Sequence, residues 1–410
     1  MAQRPKADVV VVGGGTVGGW SAVMAADSGA RSVTLLEQDV VGAGASSRAS
    51  GMVRAQGGTG TTVRLGMWTI DFYRRQAERL GVDSGFRPSG YLILAVTKSD
   101  VAAGLRRVAM QRVHGLPVEW LDTEAATSRV PTLGPGGHRG GTFTAIEGSI
   151  DPLRNVLAYT LAMKEAGVTL RERTPFLELR VEHRPGGGSR VVGVRTPDGL
   201  IATERVILAG GPFLRAIGGR IGVPIPVGCV RHQVAVTEPH EGLRDAGPMV
   251  FDVGAGIYWR GEDGGLLWGM SNPAERPGLA GAIDWPYLRR MERRLHRLAP
   301  ITKSLGIRKV WAATIEFTSD HLPILGPAVG SAGDRIEGVT VASAAGHGMM
   351  WGPAVARVAV DLALTGTTDI IDVADLGLDR FDELGRSRLL ADPIALPFPA
   401  GGDGVGHSAA

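Results

Sequence analysis

Cysteine is almost missing from these 410 residues: Cys229 stands alone. That excludes an intramolecular disulfide framework and any multi-cysteine zinc or iron–sulfur site, and it fits a reducing, cytoplasmic setting. Lysine is nearly as scarce. Only Lys6, Lys98, Lys164, Lys303 and Lys309 occur among the 44 basic residues, and the arginines that make up the rest are scattered. With 41 acidic residues the net charge is +3, so no concentrated basic patch marks a nucleic-acid binder. No uninterrupted apolar run of about 20 residues is found, and no membrane span is expected. The first residues imitate a signal peptide, with Arg4 and Lys6 ahead of an apolar stretch ending in Ala25-Ala26, but glycines at 13, 14, 15, 18 and 19 break it. No internal repeat and no G-X-Y period occur.

Glycine is what the chain has in excess: 61 residues, about twice the average share. Together with 24 prolines this stays below the roughly 25–30% of low-complexity chains. With hydrophobic residues at 44% the chain is globular, and its glycines need local reasons.

Residues 8–12 (DVVVV) form a short apolar run, as in a fully buried parallel strand. Glycines 13–19 follow, then a helix pattern over 20–29 and a second strand over 32–36 that ends at Glu37. Further helices are expected at 61–80, 99–113, 152–166 and 284–299, and strands at 89–96, 168–171, 176–182, 190–195, 201–208, 307–317 and 338–343. Pro185-Gly186-Gly187-Gly188 reads as a turn, and a last helix is expected from Pro353 to Leu364, closed by Gly366. Parallel βα-type segments lie at both ends and in the middle, with strand-rich blocks between them. That is the pattern of two interleaved domains.

Gly13-x-Gly15-x-x-Gly18 is a dinucleotide fingerprint with strand before it and helix after it. The first glycine permits the tight turn, the second lets backbone approach a pyrophosphate, and the third lets helix pack on sheet. Glu37 stands where a carboxylate accepts both hydroxyls of an adenosine ribose. NAD and FAD share this unit. The small, polar loop Gly42 to Arg54 (GAGASSRASGMVR) favours FAD, since it can wrap a second phosphate and a large flat ring.

At this point the chain resembles the D-amino-acid oxidase superfamily of FAD-dependent amine oxidoreductases, in particular its sarcosine oxidase β-subunit and glycine oxidase branch. GGGTVGG, GAGASSRASGMVR, GSIDP, VILAGGPF, FTSDHLPILGP and AAGHGMMWGPAVA carry the resemblance over about residues 7–385. It implies an α/β fold of two domains: a Rossmann FAD-binding domain of the glutathione-reductase type, from 1–85, 148–222 and 325–390, and an antiparallel-sheet substrate domain, from 86–147 and 223–324. Residues 391–410 are expected to be a disordered tail. By the same resemblance Gly13, Gly15, Thr16, Val17 and Gly18 meet the pyrophosphate turn, and Glu37 and Gln38 the adenosine. Ser46, Ser47, Arg48 and Met52 follow the ribityl chain. Phe176 meets adenine, Gly210 and Gly211 lie beside the dinucleotide, and His347, Gly348, Met349 and Met350 line the flavin's pyrimidine edge. A helix N-terminus behind that last segment suits the negative charge of reduced flavin.

The departures bear on chemistry. Ala313 stands where some relatives attach flavin through cysteine, and Arg48 where others use histidine, which implies non-covalent FAD. Ile315-Glu316 replaces an arginine that clamps substrate carboxylate in glycine-oxidase-like members, and Met350 replaces a lysine that does so in some sarcosine oxidases. No lysine occurs between Lys164 and Lys303 to play the oxygen-activating part that lysine has in several oxidases. Arg54, His232, Tyr258, Arg260 and Glu316 are the candidate substrate-pocket groups. Of these, Glu316 reads either as a partner for a cationic amine or as an ion-pair partner of one of the many arginines, and Tyr258 either as a site hydroxyl or as core. His347 is read as shaping the flavin edge, and dispersed histidines offer no metal site.

The resulting expectation is an FAD-dependent oxidase or dehydrogenase that oxidises a C–N bond of a small amine, imino acid or N-alkyl amino acid. Hydride passes to flavin N5 and an imine results. Its expected partners are that substrate and either oxygen or another electron acceptor, with self-association open. The alternatives are an electron-relaying or non-catalytic flavin subunit of a larger complex, an NAD-only dehydrogenase, and a flavin hydroxylase. The hydroxylase would normally carry a GD motif where AAGHGMM stands.

Overall fold

Two sheets organise the chain, as seen in a computed structural model that describes residues 6–184, 188–243 and 247–395. Strands and helices are numbered in chain order. The first sheet has a parallel centre, β19 (Arg335–Ser343), β12 (Val206–Leu208), β1 (Val9–Val12), β2 (Val33–Leu36) and β8 (Thr169–Arg171). It is extended by β9 (Glu178–His183), β10 (Ser189–Thr196), β11 (Gly199–Ala202) and β18 (Ile324–Val329). The second sheet is mostly antiparallel, in the order β17 (Ile307–Phe317), β13 (Gly228–Thr237), β16 (Gly265–Ser271), β15 (Ile257–Glu262), β14 (Met249–Asp252), β4 (Tyr91–Leu94), β6 (Gly141–Thr144) and β5 (Glu119–Leu121). A two-stranded ribbon, β3 (Met52–Val53) with β7 (Gly148–Ser149), joins them. This is the mixed α/β architecture expected from the sequence.

All four residues of β1 are buried, as are all four of β2, because both faces of this parallel sheet are covered. Val10, Val12 and Leu36 pack with Val191, Val194, Ile201, Leu214 and Ile217, and the other face packs against helices. On one face lie α1 (Thr16–Asp27), α2 (Gly60–Leu80), α5 (Pro152–Glu165) and α8 (Gly348–Thr365). Close approach there depends on missing side chains: a Cβ on Gly18 would lie 1.9 Å from the Gly13 carbonyl oxygen, and one on Gly19 2.5 Å from the Tyr159 ring. The outer face of the second sheet is covered by α7 (Trp285–Leu298), whose Leu288, Met291, Leu295 and Leu298 bury against Trp259 and Trp268. α3 (Lys98–Val113), α4 (Thr123–Arg129) and α6 (Leu214–Arg220) complete the helices used below.

Three expectations need correction. The single strand expected over 201–208 is two: β11 runs antiparallel to β10, and β12 runs parallel between β1 and β19. The last helix begins at Gly348, not Pro353. Proline at 353 cannot donate to the Met349 carbonyl, and the Tyr73 hydroxyl donates to that oxygen instead at 3.3 Å. Residues 391–395, placed in the disordered tail, are packed: Ile394 is fully buried, and Asp392 accepts from the Gly58 N–H and the Thr62 hydroxyl. The remainder of that tail, 396–410, and the centre of the turn expected at 185–188 lie outside the described residues.

Candidate flavin and substrate cavity

A cavity of about 710 Å³ runs between the two sheets. At one end β1 stops at Val12 and Gly13 turns with φ of +108°, a left-handed conformation that a side chain would resist. A Cβ there would also strike the Ala209 carbonyl oxygen at 2.5 Å. The turn leads into α1, whose N-cap, Gly15, provides no side-chain cap, so the first helical N–H groups face the cavity with their partial positive charge. Glu37 closes this end: its two carboxylate oxygens accept from the Gly14 N–H at 2.7 Å and the Asp39 N–H at 2.8 Å. The Ser46 hydroxyl accepts from the Thr16 N–H at 2.9 Å and from the Thr16 hydroxyl at 3.1 Å.

Arg48 turns back and donates to the carbonyls of Ala43 and Gly44. Its own carbonyl accepts from the Trp311 indole at 2.9 Å, which ties the loop to edge strand β17. Along the opposite wall run Phe176, Ala209 to Phe213, and Arg220, whose guanidinium donates to the Phe176 carbonyl.

A second helix N-terminus meets the same cavity. His347 caps α8 without a side-chain cap bond to the helix, and Gly346 to Met350 line the wall. Burial, and then the Arg54 charge, push the His347 imidazole down to about 3, so it is neutral at ordinary pH. Its Nδ1 lies 2.8 Å from the Ala345 carbonyl oxygen, and its ring centroid 4.2 Å from that of Trp351. Two helix N-termini facing one elongated cavity, with the Glu37 carboxylate at one end, fit a ligand with two separate sites of negative charge. FAD, with its pyrophosphate and its isoalloxazine, is such a ligand.

Of the cofactor candidates, Gly13, Gly15, Thr16, Val17, Glu37, Gln38, Ser46, Arg48, Met52, Phe176, Gly210, Gly211 and His347 to Met350 line this cavity. Gly18 does not, and serves helix packing instead; Ser47 does not either.

The substrate candidates divide. Register pairs His232 with Ala313 and with Ser271, and Val230 with Ile315, which puts these side chains on one face of the second sheet. His232 lines the cavity, with Nε2 2.6 Å from the Tyr258 hydroxyl and Nδ1 2.9 Å from the Ser271 hydroxyl. Burial lowers the His232 imidazole to about 4 and raises the Tyr258 phenol. Gly269 makes the pair feasible, since a Cβ there would lie 2.6 Å from the Tyr258 hydroxyl.

Glu316 also lines the cavity but pairs with Cys229 across the strands, on the opposite face from His232. The two are not one constellation. Arg54 and Arg260 lie behind the wall. The Arg54 guanidinium donates to the carbonyls of Gln56 and Ile394, at 3.1 and 2.9 Å. The Arg260 guanidinium donates to the Ser50 carbonyl at 2.8 Å, to the Gly261 carbonyl and to Glu262.

Sequence reasoning missed Glu147. This fully buried carboxylate accepts from the Ala55 N–H at 2.6 Å, the Gln56 N–H at 2.5 Å and the Gln56 side-chain amide at 2.9 Å. Burial pushes it up to about 7 despite these donors and the Arg54 charge. A lone glutamate in a turn carries no local signal for such a role. Also missed was the loop segment Leu279 to Gly281 at the cavity wall, where Thr314 and Ala280 exchange two hydrogen bonds of 3.0 Å. Among the described residues no group of three or more His, Cys, Asp or Glu could hold a metal ion. No described helix is long and apolar enough to cross a membrane.

The pattern of the family described as DAO, FAD dependent oxidoreductase, matches residues 8–362. The chain is similar to 4-methylaminobutanoate oxidase (formaldehyde-forming) of Paenarthrobacter nicotinovorans, 26% identical over 91% of this chain and 45% of that one. It is also similar to glycine oxidase of Geobacillus kaustophilus, 27% identical over 91% and 97%. Among solved structures, L-proline dehydrogenase from P. horikoshii superposes with a TM-score of 0.82 at 26% identity, covering 90% of this chain and 96% of that one. The chain thus spans about half the length of the first curated relatives it matches.

Proposed function

Since the chain belongs to the family of FAD dependent oxidoreductases, we propose that it binds FAD non-covalently and oxidises a C–N bond of a small amine, imino acid or N-alkyl amino acid. The observation that carries this reading is the pair of helix N-termini, α1 and α8, on a cavity whose far wall is an antiparallel sheet bearing His232. FAD, when bound, supplies the acceptor for a hydride. Every other task falls to the chain. Glu37, Ser46 and the start of α1 orient the dinucleotide. The N–H groups at the start of α8 stabilise negative charge that develops on the ring.

His232 stays neutral in this reading, its two ring nitrogens held by Tyr258 and Ser271. Tyr258 is fully buried behind the wall, so it fixes the imidazole, and the imidazole presents the surface on which the substrate rests against the ring. The apolar wall of Ala312, Ala313, Ile315 and Leu279 excludes water. The amine gives up its proton before or on binding, the hydride leaves the carbon next to nitrogen, and the imine formed is hydrolysed. The absence of cysteine from the wall supports non-covalent binding, and the single cysteine of the chain supports a reducing, cytoplasmic setting. Electrons pass on to oxygen or to another acceptor. The longer relatives favour one further reading, in which this chain is the flavin subunit of an assembly and hands electrons to a partner.

The test is anaerobic mixing of the flavin-loaded protein with a panel of secondary amines, cyclic imino acids, and D- and L-amino acids. Bleaching of the flavin absorbance by at least one compound is expected, and reoxidation in air separates oxidase from dehydrogenase. A protein that binds FAD but is bleached by none of the panel refutes the reading for the isolated chain. In His232→Asn the reduction rate should fall on the order of 10–100-fold, about 1.4–2.7 kcal/mol, with FAD affinity unchanged.

A further inference from the structure

Glu316 remains without a part in that chemistry. It is 8% exposed, it lines the flavin cavity, and it sits on the sheet face away from His232. Dipoles of the very segment that meets the ring favour its charged form: those of the Gly346 N–H and the Ser343 hydroxyl, along with its own N–H. A Cβ on Gly211 would stand 3.6 Å from Glu316 Oε2, so the carboxylate also touches the Gly210-Gly211 side of the cavity.

Gly346 follows Ala345, a non-glycine residue held at φ of +48°. Glu316 therefore acts on a turn that carries a left-handed non-glycine residue directly before the α8 N-terminus. The other titratable groups on the elements around it are the Cys229 thiol opposite on β13, Arg215 on α6, which acts on that thiol together with Glu316, and His347, which is neutral.

We propose that Glu316 is a redox-linked proton acceptor: a carboxylate beside oxidised flavin and a carboxylic acid beside reduced flavin. The charge balance favours such a group. Two electrons and one proton leave one negative charge on reduced flavin, next to a carboxylate in a site of low dielectric. Uptake of a second proton, from solvent to Glu316, removes the repulsion and leaves the carboxyl one oxygen free to accept. Burial already raises this carboxyl above the ordinary glutamate range, and a negative ring raises it further. The two electrons come from the amine in turnover, or from dithionite in the test, so the inference does not depend on which substrate the enzyme takes.

The test is the midpoint potential of the FAD-loaded protein from pH 5.5 to 9.5, with dithionite as reductant. A two-electron, one-proton couple changes tenfold in equilibrium constant per pH unit, about 30 mV. The wild type should show a window in which the change is a hundredfold per unit, about 59 mV. In Glu316→Gln, which keeps one oxygen free to accept, that window should vanish. A wild type without the window, or a Glu316→Gln protein that retains it, overturns the proposal. An independent readout needs no variant: the reduced-minus-oxidised infrared difference spectrum of the wild type, recorded within the window, should gain a carboxylic-acid C=O band. Its absence there has the same force.

Discussion

Single buried charges decide much of how this chain responds to pH and mutation. Glu147 has a folded-state pKa near 7, above its unfolded value of about 4.5. A raised carboxyl favours the fold fully below the unfolded pKa, and that contribution is lost as pH rises through the folded one. Between pH 5 and 8 the wild type should therefore lose roughly 2–3 kcal/mol that Glu147→Gln does not lose. Denaturant unfolding of both proteins at the two pH values measures the difference, and parallel pH curves would refute it. Arg380 and Asp320 behave oppositely: both side chains are fully buried and joined at 2.7 Å, and the arginine holds the Asp320 carboxyl below its ordinary value in spite of burial. Removing one partner strands the other, so Arg380→Met should cost about 3–5 kcal/mol, whereas Arg380→Met with Asp320→Leu should recover much of it. A double mutant as unstable as the single one would contradict that account.

At the scale of elements, the fingerprint glycines separate folding from binding. Gly18 faces the Gly13 carbonyl at a distance no Cβ tolerates, while Gly15 would meet only the Ser46 hydroxyl, at 3.1 Å. Gly18→Ala should lose stability and flavin together. Gly15→Ala should melt near the wild type yet bind FAD roughly tenfold or more weakly, about 1.4 kcal/mol. Melting by circular dichroism and FAD titration by fluorescence check both, and equal loss of stability in the two variants would sink the distinction. These glycines were legible in the sequence because their reason is local: strand, turn and helix lie within twenty residues. The start of α8 was not, since it depends on Tyr73 lending a hydroxyl from a helix far away in the chain. Nor was the packing of residues 391–395, which rests on Asp392 reaching the start of α2 and Ile394 reaching Arg54. The face of each residue of the second sheet also needed register: His232 and Glu316 look equivalent as single letters, and only strand pairing sets them on opposite sides.

For the whole molecule, the cavity is shared by both sheets, so its ligand is also a tie between them. Some ties are built in. Arg260 reaches the Ser50 carbonyl, Trp311 reaches the Arg48 carbonyl, and Gln56 links Glu147 to the Tyr91 carbonyl and the Thr142 hydroxyl. The apoprotein should therefore remain folded, and saturation with FAD should add stability by mass action, about 2.7 kcal/mol at a hundredfold excess over Kd. ADP tests how that stability is distributed, because it offers the adenosine and pyrophosphate without the ring. In hydrogen exchange, ADP should protect the segments around Gly13 to Val17 and Glu37 to Asp39 only. FAD should also protect Ala312 to Glu316, Leu279 to Gly281 and Gly346 to Met350, the parts of the wall that come from the second sheet and the start of α8. If ADP protected both sets equally, the ring would not be what joins the two sheets. If FAD protected neither, the cavity would not be its site.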